Sequence, residues 1–341
     1  MARYLVTGGS GYFGSLLVSR LGPEQCRVFD LNDADDRHPS TEFYRGDIRD
    51  LDAIDAASRG VEAVFHNVAQ VPLAKDRELF RTVNIDGTRN MLEAAKRNGA
   101  RKVVYTSSSA VFGAPKTNPV TEDTPPTPGE AYGRAKYEGE LLCHEYARAG
   151  LDVSIVRPRT IMGHGRLGIF QILFEWIREG RNVPVLGSGD NLYQFVHAED
   201  LADACILAAG RAGPRTYNCG TDRFGTMREV LEALCRHAGT GSKVRSVPMA
   251  PAVWGMKATS ALGLSPLGAY HALMYGRSMY FDITRATSEL GWKPKWSNDD
   301  MFIQSYEWYC RNRDQVLAAH GASHHRSAVK QGVLALLGWV L

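Results

Sequence analysis

Through the first half of the chain, short runs of β-branched and aromatic residues alternate with longer helical stretches. The runs Tyr4 to Thr7, Cys26 to Asp30, Glu42 to Arg45, Ala63 to Asn67, Lys102 to Ser107 and Asp152 to Arg157 predict strands. Phe13 to Arg20, Leu51 to Ala57, Leu79 to Asn98 and Ala135 to Ala149 predict helices, with Gly99 and Gly150 as stops. This alternation implies an α/β fold, a doubly wound parallel sheet with helices on both faces. From about Gly163 the alternation becomes irregular, with Gly/Pro-rich links at Pro184 to Gly189, Ala212 to Pro214 and Gly263 to Gly268. A smaller mixed C-terminal lobe is expected there. The predicted division is 1–165, with the chain returning to that lobe near 195–218, then 166–322 as the second lobe, then a tail at 323–341. Pro115 to Pro128 holds five prolines and predicts a loop, with a mobile flap as its expected role.

The first strand runs into Thr7-Gly8-Gly9-Ser10-Gly11-Tyr12-Phe13-Gly14, a glycine-punctuated strand-to-helix turn. Glycines at a helix N-terminus leave backbone N–H groups and the helix dipole open to a pyrophosphate. Gly8, Gly11 and Gly14 are placed for that. An acid ends the next strand, Asp30, where a carboxylate accepts from both hydroxyls of an adenosine ribose and repels a 2′-phosphate. NAD is therefore favoured over NADP, although Arg37 nearby could accommodate the phosphate, and Asp30 could simply start a turn. Asp47, in Gly46-Asp47-Ile48-Arg49-Asp50, is placed to accept from an adenine amino group; capping of the following helix by Asp47 or Asp50 is the alternative.

Tyr132 and Lys136 stand four residues apart, one helical turn, and can share a face. A free phenol is a poor base at neutral pH, and a neighbouring ammonium stabilises its phenolate. Ser108 follows a buried strand and can hydrogen-bond the same reacting oxygen. The proton accompanying a hydride transfer would move through Tyr132, with Lys136 tuning it and reaching the nicotinamide ribose. A tyrosine and lysine at this spacing also occur as a plain surface pair; the glycine turn and Ser108, in this order, favour the catalytic reading.

The chain has 341 residues, enough for two lobes and a cleft. Forty basic against 37 acidic residues leave a net charge of +3, which supplies no broad field for nucleic acid or an anionic membrane. Small-molecule partners are expected. The six cysteines (Cys26, Cys143, Cys205, Cys219, Cys235, Cys310) form no zinc-ligand spacing and predict free buried thiols in a reducing cytoplasm, with no metal. Met1 leads into the first strand without a basic and apolar leader, so secretion is not expected. The apolar end Val333 to Leu341 is too short to span a bilayer, and packing is favoured over interfacial membrane contact.

These motifs, together with GDIRD at 46–50, Asn84 with Gly87-Thr88, SSSAVFG at 107–113, Arg157-Pro158, Phe195-Val196-His197 with Asp200, Tyr217-Asn218 and ELGWKP at 289–294, resemble an extended short-chain dehydrogenase/reductase of the NAD-dependent epimerase/dehydratase family, which includes a 3β-hydroxysteroid dehydrogenase-like branch. The resemblance covers nearly the whole chain. It implies a Rossmann lobe binding NAD, a substrate lobe, and a homodimer through the helices containing Leu79 to Asn98 and Ala135 to Ala149. It selects Ser108, rather than Ser107 or Ser109, as the catalytic hydroxyl, and adds Tyr12, Phe13, Ile48 and Pro158, with Tyr132 and Lys136, to the cofactor contacts.

Departures from the family pattern bear on the substrate. Where 4,6-dehydratases carry an Asp-Glu pair after the catalytic hydroxyl, this chain has Ser109 and Ala110, which disfavours dehydration. Where nucleotide-sugar epimerases read Arg-Asp before Phe-Val-His, it reads Tyr193-Gln194, and Thr160 replaces a common asparagine. Arg159, Arg166, Arg223, Arg245 and Arg277 are candidates for the missing charge, with a solvated surface role favoured for each. Trp254 to Tyr280 could line an apolar pocket, although a helical hairpin in the core is favoured. Core or surface roles are expected of His164, His197 and His271. The leading expectation is an epimerase of a nucleoside-diphosphate sugar. The alternative is a dehydrogenase or ketoreductase of a hydrophobic hydroxy compound. A non-catalytic dinucleotide-binding subunit is a third reading, opposed by the intact Ser108, Tyr132 and Lys136.

Overall fold

The computed structural model describes residues 2–70, 77–165, 169–251, 254–255 and 276–318. Most of Trp254 to Tyr280, including His271, lies outside the described residues, as do Arg166 and the tail 323–341.

Seven strands form one parallel sheet: β1 (Tyr4–Thr7), β2 (Cys26–Asp30), β3 (Glu42–Arg45), β4 (Ala63–His66), β5 (Lys102–Thr106), β6 (Val153–Pro158) and, much later in the chain, Arg215–Cys219. The spatial order runs from Arg215–Cys219 through β6, β5, β4 and β1 to β2 and β3, so the direction of winding reverses at β1. That reversal opens a crevice at the carboxyl ends of the strands, the place where such sheets bind ligands. Both faces are buried at the central strands β1, β2, β4, β5 and β6, which explains why most of these read as nearly continuous apolar runs, whereas the edge strand β3 is half-buried to exposed. Leu5, Phe29, Val64, Val103 and Ile155 face a core shared with α2 (Leu51–Ser58), α4 (Gly87–Arg97) and α5 (Ala131–Arg148). Their sequence neighbours Val6, Val28, Phe65, Val104 and Val156 point the other way, toward α1 (Tyr12–Leu21).

After β6 the chain adds β7 (Thr160–Met162), α6 (Ile169–Arg178), β8 (Val183–Leu186), β9 (Leu192–Tyr193) and β10 (Phe195–His197), which pairs with β7. It then crosses by α7 (Ala198–Gly210) to β11, the seventh sheet strand named above, and continues through β12 (Gly225–Thr226), α8 (Met227–Ala238) and β13 (Val244–Val247). The described chain ends with α9 (Thr284–Leu290) and α10 (Asn298–Ala318). A separate apolar cluster joins α6, β8, α8 and α10 through Phe174, Trp176, Val183, Leu231, Leu234 and Phe302.

Two helices depart from expectation. The predicted helix Leu79 to Asn98 is a short α3 (Arg77–Arg81), a π-helical turn at Thr82–Asp86, and α4. Asn84 sits in that turn, 1% exposed, accepting from the Gln70 N–H at 2.7 Å and donating to its carbonyl at 3.1 Å. Such a pairing draws one residue out of the regular ladder. Helix α5 begins at Ala131 rather than Ala135, because the Glu130 carboxylate accepts from the backbone N–H groups of Tyr132 (2.7 Å) and Gly133 (2.5 Å). Glutamate is an unusual cap, so the signal was absent from the sequence. The Pro115–Pro128 loop is pinned rather than a free flap: the Val120 N–H donates to the Tyr280 carbonyl at 2.8 Å, its carbonyl accepts from Asp282 at 2.9 Å, and its side chain is fully buried.

Between α5 and the sheet, Glu140 accepts from the Ser107 hydroxyl at 2.5 Å and from both Nε (2.8 Å) and Nη2 (2.7 Å) of Arg157. This buried pair ties α5 to the ends of β5 and β6. Glu140→Leu strands the arginine charge and is expected to cost about 3–5 kcal/mol of stability. Urea unfolding checks it; a loss below about 1 kcal/mol would show that the pair is not needed to hold α5.

Candidate active site

The glycine turn is shaped by close approach. A Cβ on Gly14 would run into the Gly8 carbonyl, and Gly8 itself has a φ of +70°, so both positions require glycine. No side chain caps α1, and its first turn holds no acid. The Ser10 hydroxyl is buried with no hydrogen-bond partner, and the Ser10 N–H donates to Asp30 Oδ2 at 3.2 Å. Burial raises the Asp30 carboxyl above its usual range, against the pull of the backbone N–H groups on it. An uncapped helix start, an orphaned hydroxyl and a carboxylate at the end of β2 fit a dinucleotide's phosphates and ribose. Arg37 is turned to Asp33 (2.7 and 3.1 Å) and the Thr41 carbonyl (2.6 Å), which removes it as a partner for a 2′-phosphate.

The other cofactor candidates are more varied. Asp47 is clasped by Arg49, with Nη2 at 2.5 Å, while Asp50 is the residue that caps α2. Ile48 is 4% exposed and packs against Gly87. Phe13 lies in the α1 core, Tyr12 donates to the His164 carbonyl at 3.2 Å, and Pro158 ends β6 beside Cys219.

Ser108, Tyr132 and Lys136 come together through one contact between elements. The chain leaves β5 and turns at Ser108 into a single 3₁₀ turn, Ser109–Phe112. Ser108 Oγ accepts from the Ala110 N–H at 3.1 Å, and no described residue takes its hydroxyl proton. A Cβ on Gly133 would collide with the Ala110 carbonyl, so glycine there lets the first turn of α5 sit directly on this 3₁₀ turn. Tyr132 precedes Gly133 and is half-buried against Phe80, ring centroids 6.4 Å apart. One turn on, Lys136 is 3% exposed, donates to the Thr106 carbonyl at 2.8 Å and lies 4.9 Å from the Tyr105 ring centroid. Burial pulls the Lys136 ammonium down to about 8.

Some residues here were not singled out in the sequence. His66 is fully buried between Thr7 (2.7 Å) and Thr88 (3.1 Å), and burial, helped by the Lys136 charge, pushes it down to about 3, so it stays neutral beneath the lysine. Arg159 is a correction: expected on the surface, it is 1% exposed. Arg245 and Arg277 are exposed, and Arg223 donates to the Lys295 carbonyl at 2.5 Å. The two substrate-side departures meet each other, since the Thr160 and Tyr193 hydroxyls are 2.8 Å apart. Gln194 is internal, bonded to Thr221 and Phe281. His197 is a core residue, stacked on Trp296 at 4.5 Å.

Two outcomes follow from this geometry. Gly133→Ala should push α5 off the 3₁₀ turn and lower kcat on the order of 100-fold while NAD affinity, by fluorescence titration, is retained. An unchanged kcat would remove the contact from the account. Lys136 carries its charge below its folded value and loses it above, so kcat/KM should fall as pH rises through about 8. A profile flat to about pH 9.5 would mean that the ammonium is not required.

Comparison with known proteins identifies the family. The NAD dependent epimerase/dehydratase family matches residues 4–220, more than half of the chain. An uncharacterized protein of Sinorhizobium fredii, y4nG, is 55% identical over 99% of this chain and 86% of its own. The UDP-glucose 4-epimerase of Mycolicibacterium smegmatis is 32% identical over 92% of this chain and all of its own. Among solved structures, a UDP-glucose 4-epimerase from Thermotoga maritima, crystallised with UDP-glucose, superposes with a TM-score of 0.76 at 25% identity, covering 91% of this chain and 99% of that one. With its seven-stranded parallel sheet and its dinucleotide cradle, the chain is an NAD-dependent enzyme and belongs to the NAD-dependent epimerase/dehydratase family.

Proposed function

We propose that the chain epimerises a nucleoside-diphosphate sugar through a transient keto form, with Tyr132 as acid and base. The observation that carries this reading is the pair Ser109 and Ala110 beside an intact Ser108, Tyr132 and Lys136. The site has its proton-transfer group but no carboxyl next to Ser108 to drive an elimination. Full-length similarity to UDP-glucose 4-epimerases supports the substrate class.

NAD, held by the Gly8–Gly14 turn and Asp30, supplies a hydride acceptor that can later return the hydride. The chain's own residues handle the proton. Tyr132 takes it from the sugar hydroxyl as the carbon is oxidised; Ser108, with its hydroxyl proton uncommitted, donates to the same oxygen and holds it. Lys136, anchored at the Thr106 carbonyl, keeps a positive charge one helical turn from the phenol and has further N–H groups for a ribose hydroxyl. When the keto sugar presents its opposite face, Tyr132 returns the proton and the configuration is inverted. The second apolar cluster, with β7 to β10, would form the substrate lobe, and α4 together with α5, on which Leu141 is 47% exposed, a homodimer contact.

The test is a panel of UDP-, GDP- and dTDP-sugars and hydrophobic alcohols, followed by absorbance at 340 nm and product stereochemistry. Inverted sugar without net NADH is expected. Stoichiometric NADH from an alcohol would replace the reading with a dehydrogenase. Tyr132→Phe should lower turnover roughly 10²–10⁴-fold with NAD binding intact; unchanged turnover would remove Tyr132 from the mechanism.

A further inference from the structure

Arg159 follows β6, its N–H donating to the Cys219 carbonyl at 2.8 Å. Its guanidinium is enclosed by aromatic and thioether groups, 4.6 Å from the Tyr193 ring centroid and 5.7 Å from that of Phe281, with Met279 Sδ 3.3 Å from Nη1. Nη1 also donates to the Ser109 hydroxyl at 2.9 Å. Nε and Nη2 are buried and unpartnered. No described carboxylate answers this charge, whereas the buried Arg157 is paired with Glu140 and the buried Lys102 with Asp152.

A guanidinium does not discharge by losing its proton, so burying one without a counter-ion is strongly unfavourable. A fold that retains such a charge beside its reaction centre is completed by an anion brought from outside. Nε and Nη2 form one edge of the guanidinium plane, the edge whose two parallel N–H groups match both oxygens of a carboxylate. The position narrows the choice further. Nη1 is tied to Ser109, which directly follows Ser108, so the guanidinium as a whole lies next to the residue proposed to hold the reacting oxygen. Apolar walls of Tyr193, Phe281 and Met279 strengthen the attraction by excluding water, and admission of a carboxylate to the buried Nε/Nη2 edge requires a neighbouring side chain to turn, for which the unbranched Met279, in contact with the same guanidinium, is best suited.

Resting on the epimerase reading above, we propose that Arg159 receives a carboxylate borne by the substrate sugar, so that the preferred substrate is a nucleoside-diphosphate uronate. Tyr193 stands where family members carry an arginine, and its ring packs against Arg159; the positive charge has moved from β9 to the end of β6.

Calorimetric titration of the NAD-loaded protein with UDP-glucuronate, UDP-glucose and UDP tests this without relying on turnover. The wild type should bind UDP-glucuronate at least about tenfold more tightly than UDP-glucose. Arg159→Gln should abolish that difference while leaving UDP and UDP-glucose within about twofold of wild type. Equal affinities in the wild type, or a preference for UDP-glucose, would overturn the uronate assignment, and inversion of UDP-glucose would then leave the epimerase reading standing. Loss of UDP binding in Arg159→Gln would overturn it in favour of a diphosphate contact. Should that variant not fold, the wild-type comparison of the two sugars decides alone. If no nucleotide binds and an alcohol yields NADH, the epimerase reading itself fails.

Discussion

One steric contact governs the end of the molecule that carries the proposed catalytic residues: the first turn of α5 resting on the 3₁₀ turn after β5, where a glycine hydrogen at position 133 is all that fits against the Ala110 carbonyl. Ser108 and Tyr132 are far apart in sequence, and neither reaches toward the other through a bond of its own. They become neighbours because two backbone segments touch. The surrounding structure holds that contact from below through Glu140, Arg157 and Ser107, and from the helix start through the Glu130 cap.

The same packing sets the electrostatics. Lys136 is brought inside with α5, donates to a carbonyl beside an aromatic face and makes no ion pair with a described carboxylate, although the Glu140 charge one turn on favours it in part. An ammonium in that setting is less stable than in water, and a phenolate, when it forms nearby, relieves it. His66, neutral beneath it, adds no competing positive charge. Burial disfavours the Lys136 charge, and the Thr106 carbonyl is what holds the ammonium at the sheet end, where its proposed role is to favour the Tyr132 phenolate. On the proposed cofactor side the logic is complementary: the uncapped α1 start would present N–H donors to the phosphates and the Asp30 carboxyl an acceptor to the ribose hydroxyls.

Most of this architecture could be read from the chain. The strand runs fell within a residue of their observed ends, most clearly at the central strands, which are buried on both faces, and the glycine turn announced itself through spacing and context. What escaped depends on tertiary contact. The π-turn at Thr82–Asp86 answers to the Asn84–Gln70 pairing, and the early start of α5 to Glu130. Arg159 looked like a surface residue because an arginine beside a proline says nothing about enclosure. Only the approach of Tyr193, Phe281 and Met279, all distant in sequence, shows that it is internal.

The proposed proton transfer requires Tyr132 and Ser108 to address one oxygen. A crystal structure of the protein with NADH and a nucleotide sugar tests it most directly. The phenol and the serine hydroxyl should both lie within roughly 2.6–3.2 Å of the same sugar oxygen. A Tyr132 hydroxyl directed away from that oxygen, with Ser108 alone in contact, would contradict it.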